Sequence, residues 1–312
     1  MIKTKSLSKK ITRREWGKLS LSGVAGLMIA PAFKHLDMQK LHAGNVIIGV
    51  QTYSFRDRDL DAAIKAMHEL GLKSCELWQG HVQPREFMWK RDATPEERRQ
   101  ATEGLKQWYA GITMDKIEIV RKKINDAGIT IQAYNPSFNK NNSDEMFEQN
   151  FKIAQALGTD TITTSTTVDQ MPRIDPLAQK YKIKVGMHNH AHVEDPNQFA
   201  TPDSFMRGMK ELSDFIRINL DIGHFTAANF DAVDFIKKYH DKIVCLHLKD
   251  RKKNQGPGVP FGEGDVPLTE VLHLIRDNNW PLPCNIEYEY NGTDTVAEVK
   301  KCIDYCNKAL SA

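Results

Sequence analysis

From Asn45 onward the chain alternates, eight times over, a short run rich in β-branched residues with a longer amphipathic stretch. No other feature constrains the fold as strongly, because a strand followed by a helix returns to a neighbouring parallel strand by a right-handed crossover. Strands are predicted at 46–52, 73–78, 130–135, 159–165, 183–188, 216–221, 243–250 and 284–290. Helices are predicted near 60–70, 115–127, 144–157, 174–181, 201–214, 231–240, 268–278 and 293–310. Several helices stop where glycine enters, as in HELGLKS (68–74), NDAGIT (125–130) and QALGTD (155–160), with a strand close behind. Eight such units in ~270 residues suit one (β/α)8 barrel. A doubly wound sheet would carry a glycine-rich phosphate loop after the first strand, where this chain has Gln51, Thr52, Tyr53 and Ser54. The expected fold is therefore α/β, a single-domain (β/α)8 TIM barrel over residues 44–312. The stretch 79–112 is too long for a plain connection and is expected to form a helical insertion after strand two. Its Trp89, Trp108 and Tyr109 either wall a sugar site or pack the insertion onto the barrel.

The first 43 residues read differently. They hold nine of the 43 Lys and Arg but only two of the 40 Asp and Glu, so the formal charge of +3 belongs to this segment. The remainder has four more acidic than basic side chains, which removes the main argument for a nucleic-acid partner. Adjacent Arg13 and Arg14 precede the weakly apolar LSLSGVAGLMIA (19–30), the pattern of a twin-arginine export signal. Cleavage is expected after Ala43, with Ala32 the rival, giving a periplasmic or otherwise exported protein with no stable membrane anchor. Cys75, Cys245 and Cys284 lie in strand-like runs, and Cys302 and Cys306 are one helical turn apart; all five are expected to be free thiols.

In a barrel of this kind the interior is filled by apolar side chains and chemistry gathers at the C-terminal strand ends. The last four strand ends carry an unusual set: His188-Asn189-His190, then Asp221 with His224, then His247-Leu248-Lys249-Asp250, then Glu287 and Glu289. A lone strand histidine is an ordinary core group, but imidazoles and carboxylates on four consecutive strands are a costly way to pack a core. His188, Asp221, His247 and Glu287 are the expected ligands of a divalent metal, manganese before cobalt, magnesium or zinc. His190 is the alternative to His188 on strand five.

These motifs resemble the xylose isomerase-like TIM-barrel superfamily, specifically its sugar phosphate isomerases/epimerases. The resemblance spans 45–310 and is carried by GVQTYSFRD (49–57), LDIGHF (220–225), LHLKDRK (246–252), PFGEGDVP (260–267) and IEYEY (286–290). It implies a metal held by Asp221, His247 and Glu287 with a strand-five Glu, and here the chain departs by placing His188. The H-N-H version is similar to the branch containing inosose dehydratases and many exported relatives. The missing Glu is also one of two acid/base carboxylates in ketose 3-epimerases, which puts a symmetric two-carboxylate epimerisation in doubt.

The expected substrate is a small carbohydrate, and the expected step is proton removal beside a carbonyl. Glu287 is the first candidate base, with His190, His224 and Glu76 as the others, and Lys249 is the expected donor to the developing oxyanion. Returning the proton elsewhere makes an isomerase or epimerase; expelling a leaving group makes a lyase or dehydratase. The reading outside catalysis is an exported sugar-binding module. Asp250 is expected to orient a neighbouring Lys or Arg, Glu289 to face solvent, and the Gly/Pro-rich loop 252–267 to be either a mobile lid or a rigid turn.

Overall fold

Alternate residues along each strand face two environments, and the structure sorts them into an outer apolar shell and an inner polar column. This computed structural model describes residues 46–88, 92–292 and 294–312; the expected export signal and Trp89 lie outside the described residues. The strands are β1 Ile48–Gln51, β2 Ser74–Trp78, β3 Thr130–Asn135, β4 Thr161–Thr164, β5 Lys184–His188, β6 Ile216–Asp221, β7 Ile243–Leu248 and β8 Cys284–Ile286. All pair parallel with their sequence neighbours, and β8 closes on β1 through Ile48↔Cys284, Gly49↔Asn285 and Val50↔Ile286. The predicted (β/α)8 barrel is the fold observed.

Three strands are shorter than predicted because other groups take the ladder bonds. After β7, Asp250 and Arg251 leave the barrel to pair antiparallel with Gly258 and Val259. After β8, the Tyr288 N–H donates to the Ser54 hydroxyl at 2.9 Å instead of continuing the sheet. Before β4, the Thr159 hydroxyl accepts the Thr161 N–H and donates to the Gln132 carbonyl.

The helices are α1 Leu60–Glu69, α2 Pro95–Gly111, α3 Met114–Asp126, α4 Asp144–Leu157, α5 Met171–Tyr181, α6 Pro202–Met209, α7 Ile222–Ala227, α8 Ala232–Tyr239, α9 Leu268–Asp277 and α10 Thr295–Leu310. Their starts are written in the sequence: Asp59, Ser143 and Asp294 each accept a first-turn N–H through the side chain. Gly158 ends α4 at φ 79°, a left-handed conformation that only glycine takes without strain. Helix α6 stops at Met209, short of the predicted 214, and Glu211 beyond it takes φ 63°. Outward-facing Val50, Leu77, Ile162, Val185, Ile218 and Ile286 belong to one buried cluster with helix residues such as Met67, Ile124 and Phe151. No helix among the described residues is long and apolar enough to cross a membrane, and all five cysteines are free and buried.

The insertion is the long helix α2, begun by a capping box between Thr94 and Glu97. Its aromatics fasten it down. The buried Tyr109 hydroxyl donates to Asn150 Oδ1 on α4 at 3.0 Å and accepts from Gln83 Nε2 at 2.7 Å. Trp108 packs edge-on against Tyr109 at 5.0 Å. Of the two expectations, packing is the one observed for Trp108 and Tyr109.

Candidate metal centre

The inner column departs from the expected apolar barrel interior. Glu76, Thr163, Asn219, Cys245 and Asn285 are wholly buried there and bond to one another. Glu76 accepts from the Thr163 hydroxyl at 2.6 Å and from Asn285 Nδ2 at 3.0 Å, and contacts His247 Nε2 at 2.8 Å. With both oxygens engaged beneath His247, Glu76 has no path to a substrate at the mouth, and the structure corrects its expected place among the bases. It sits where a carboxylate fixes the orientation of a ligating imidazole from behind. Asn219, Cys245 and Asn285 were missed from the sequence, although each stands two residues before Asp221, His247 or Glu287 and so shares its face.

Above this column, local structure aims four side chains at one point. Asp221 ends β6 and caps α7: its Oδ1 accepts the His224 N–H at 2.7 Å, which leaves Oδ2 turned inward. The glycine of the D-I-G-H stretch is required here, since a Cβ on Gly223 would meet the Lys249 Cβ and carbonyl oxygen, each at 2.8 Å. Asn189 clamps β5 to β6, accepting the Asp221 N–H at 2.9 Å and donating to its carbonyl at 3.1 Å. That clamp explains the central residue of H-N-H and holds His188 and His190 on either side of it. His247 Nδ1 lies 3.0 Å from Glu287 Oε2.

The ligand atoms of His188, Asp221, His247 and Glu287 all lie within 4.8 Å of one another, and all four side chains are buried. Two of these atoms, His188 Nδ1 and Asp221 Oδ2, are buried without a hydrogen bond. Lys249 Nζ stands 3.0 Å from Asp221 Oδ2, outside hydrogen-bonding geometry, and 2.8 Å from Glu287 Oε2. The donors thus fit a divalent cation. His190 lies outside this set, in a second group with His188 and His224.

Electrostatics follow from depth and neighbours. Burial pushes the Asp221 carboxyl up to about 6 despite Lys249. Burial opposes ionisation of Glu287 too, but Lys249 and His247 in contact hold it well below the usual carboxylate range. Burial disfavours charge on His247, yet Glu76 and Glu287 on its two nitrogens raise it well above an ordinary imidazole. Lys249 is likewise kept a cation, with Asp221, Glu287 and Glu289 overcoming its burial. Burial lowers His188, His190 and His224.

Those surroundings sort the remaining candidates. His224 Nε2 is 3.2 Å from Lys249 Nζ and its Nδ1 is 2.5 Å from Arg251 Nη1, so cations face both nitrogens and make it a poor base. The His190 ring nitrogens make no hydrogen bond to the described residues, which leaves a neutral imidazole open at the mouth. Glu289 is exposed as expected, and it also contacts Lys249 at 2.5 Å. Asp250 was expected to orient a Lys or Arg; instead it accepts the N–H groups of Gly262, Gly264 and Val266. Three such bonds tie the loop after β7 to the strand end.

The xylose isomerase-like TIM barrel model matches residues 64–308. L-ribulose-5-phosphate 3-epimerase UlaE of Escherichia coli is 29% identical over 92 residues, 29% of this chain and 32% of that enzyme. The match therefore spans about a third of the length of that curated relative. The probable 3-DHS dehydratase AsbF of Bacillus anthracis superposes with a TM-score of 0.62 at 18% identity, covering 85% of this chain and 98% of that one. IolI, crystallised with a zinc atom, superposes at 0.61 with 14% identity over 85% and 97% of the two chains. At these identities the two structures establish a shared fold. With the family model covering most of its length and the barrel closed, this chain belongs to the xylose isomerase-like TIM barrel family.

Proposed function

We propose that the protein is a metal-dependent sugar isomerase or epimerase that removes a proton beside the carbonyl of a keto-sugar or related polyol. One observation carries this reading: two buried donors without hydrogen bonds, His188 Nδ1 and Asp221 Oδ2, beside His247 and Glu287. A buried polar atom left unpaired costs ~1–3 kcal/mol; a cation shared by these four side chains satisfies His188 Nδ1 and adds to the charge pairing that Lys249 alone gives Asp221 Oδ2. Two imidazoles and two carboxylates suit manganese, cobalt or zinc better than magnesium. Such an ion, when bound, supplies Lewis acidity toward a substrate carbonyl and so acidifies the adjacent C–H.

The chain's own residues supply the rest. His190, unpartnered at the mouth, takes the proton, and Glu287 is the alternative base with the added duty of a ligand. Lys249, held as a cation by three carboxylates, stabilises the charge that develops on the substrate oxygen. Proton return to the neighbouring carbon by the same group gives isomerisation. His188 in place of a carboxylate also favours a second reading: His190, once it has taken the C–H proton, passes it to a departing β-oxygen, giving a lyase or dehydratase. Incubating the metal-loaded protein with keto-sugars in deuterated water separates the two. Isomerisation or epimerisation gives products of unchanged mass apart from deuterium; elimination gives products lacking water or an aglycone. Absence of exchange with every sugar in a broad panel leaves the binding-module reading. Export belongs to the same proposal and is checked by N-terminal sequencing of the periplasmic protein, expected to begin at Gly44.

A further inference from the structure

We propose that His192 and His190, with Glu194 at the outer end, form the path by which a divalent transition-metal ion passes between solvent and the buried four-donor centre. This deepens the function proposed above and rests on its metal centre. The need for a path follows from depth. His188, Asp221, His247 and Glu287 are each no more than 6% exposed, so a hydrated cation at the surface is out of their reach. On the way in, protein donors must replace its water ligands, because a bare charge in the interior is costly.

The segment after β5 supplies donors at successive depths. Past the His188-Asn189-His190 stretch the chain continues Ala191-His192-Val193-Glu194. The side chains of His192 and Glu194 are 64% and 72% exposed, with His192 Nδ1 3.4 Å from Glu194 Oε1. The His192 ring centroid is 6.1 Å from that of His190, His190 is 5.0 Å from His188, and His188 is 4.8 Å from His247. Exposure falls along the same line, from His192 at the surface through half-buried His190 to buried His188 and His247. The backbone fixes the line. The His190 N–H donates to the Phe199 carbonyl at 2.9 Å, and the Ala191 carbonyl accepts from Gln255 Nε2 at 2.6 Å.

His188 joins the outer donors to the centre. One ligand atom from each of His188, His190 and His224 lies within 4.8 Å of the others, and His188 also belongs to the four-donor set. Lys249 and Arg251 face the two nitrogens of His224, which leaves His190 the open donor of the trio. Burial disfavours the charged forms of His190 and His188, so each offers a lone pair. Imidazoles in series suit cobalt, nickel, copper or zinc over magnesium or calcium. The proton chemistry proposed above assigns no task to His192 or Glu194.

Cobalt(II) uptake tests the path. Metal-free wild type, the exposed double variant His192→Ala/Glu194→Gln, and His190→Ala are mixed with cobalt in a stopped-flow instrument. The visible absorbance of the bound ion follows entry, and excess chelator follows release. A path speeds entry and exit alike, since it lowers a barrier and leaves the free energies of the two end states unchanged. The double variant is expected to slow uptake by roughly threefold and His190→Ala by roughly tenfold, with release slowed by the same factors and equilibrium affinity unchanged. Wild-type uptake rates in both variants overturn the proposal. So does slower uptake with unchanged release, because the affinity has then fallen and the residues act on the bound state. A wild type that takes up no cobalt at equilibrium removes the centre itself, and the path with it. A wild type that fills while both variants keep its rates removes the path alone.

Discussion

The two halves of the barrel mouth are built on different principles. From β5 to β8, buried imidazoles, carboxylates and Lys249 crowd together, with Glu76 beneath His247 and Asn189 beside Asp221. From β1 to β3, the mouth presents Tyr53, Trp78 and side-chain amides under a long capped helix, with no comparable concentration of buried charge among the described residues. The first half concentrates buried charge, and the second presents aromatic and amide side chains with little of it. The difference teaches that the polar column inside the barrel is a support for one side of the mouth, since Glu76, Asn219 and Asn285 all lean toward His247 and its neighbours.

Four substitutions sharpen or break this division. The largest effect is expected from His190→Ala, which removes the proposed base and should slow deuterium exchange by roughly 10²–10⁴-fold while metal content stays at the wild-type level. Equal losses of exchange and metal would place His190 among the ligands instead. Glu76→Gln keeps the shape behind His247 but weakens its anchoring. Metal affinity, measured by competition with a chelator, should fall about 10–100-fold, and an unchanged affinity would show that the column is only packing. Asn189→Ala cuts both bonds of the β5–β6 clamp and should cost roughly 1–3 kcal/mol in denaturant unfolding, with weaker metal binding because His188 is no longer fixed. Tyr109→Phe, on the insertion, should cost about 1 kcal/mol and leave exchange of a free keto-sugar unaltered.

Much of the fold was legible because the two hydrophobic periods alternate cleanly and the helix boundaries are marked by Asp59, Ser143, Gly158 and Asp294. Strand ends were less so. Ser54 and Thr159 divert backbone bonds through side chains that come from the helical turn after β1 or from just outside their own strand, and single-strand periodicity carries no trace of that. In the site, His188, Asp221, His247 and Glu287 were visible as a set because topology brings consecutive strand ends together. Glu76 was visible as a residue but not in its place, because its position beneath His247 depends on β2 facing β7 across the barrel. Asp250 misled for a similar reason: its partners are backbone N–H groups twelve to sixteen residues on, which have no side-chain signature. The Tyr53–Trp78 pair at the mouth was passed over in favour of Trp108 and Tyr109, since aromatic residues on an insertion look alike whether they face a cleft or a neighbouring helix.

The central claim is that four strand-end side chains hold one divalent ion. Its direct test is the metal content of purified wild type, Asp221→Ala and His247→Ala, measured by elemental mass spectrometry after each folded protein is exposed to manganese, cobalt or zinc and freed of excess. About one ion per chain is expected in the wild type, and loss of it from both variants. Wild-type occupancy retained in both variants would contradict the account.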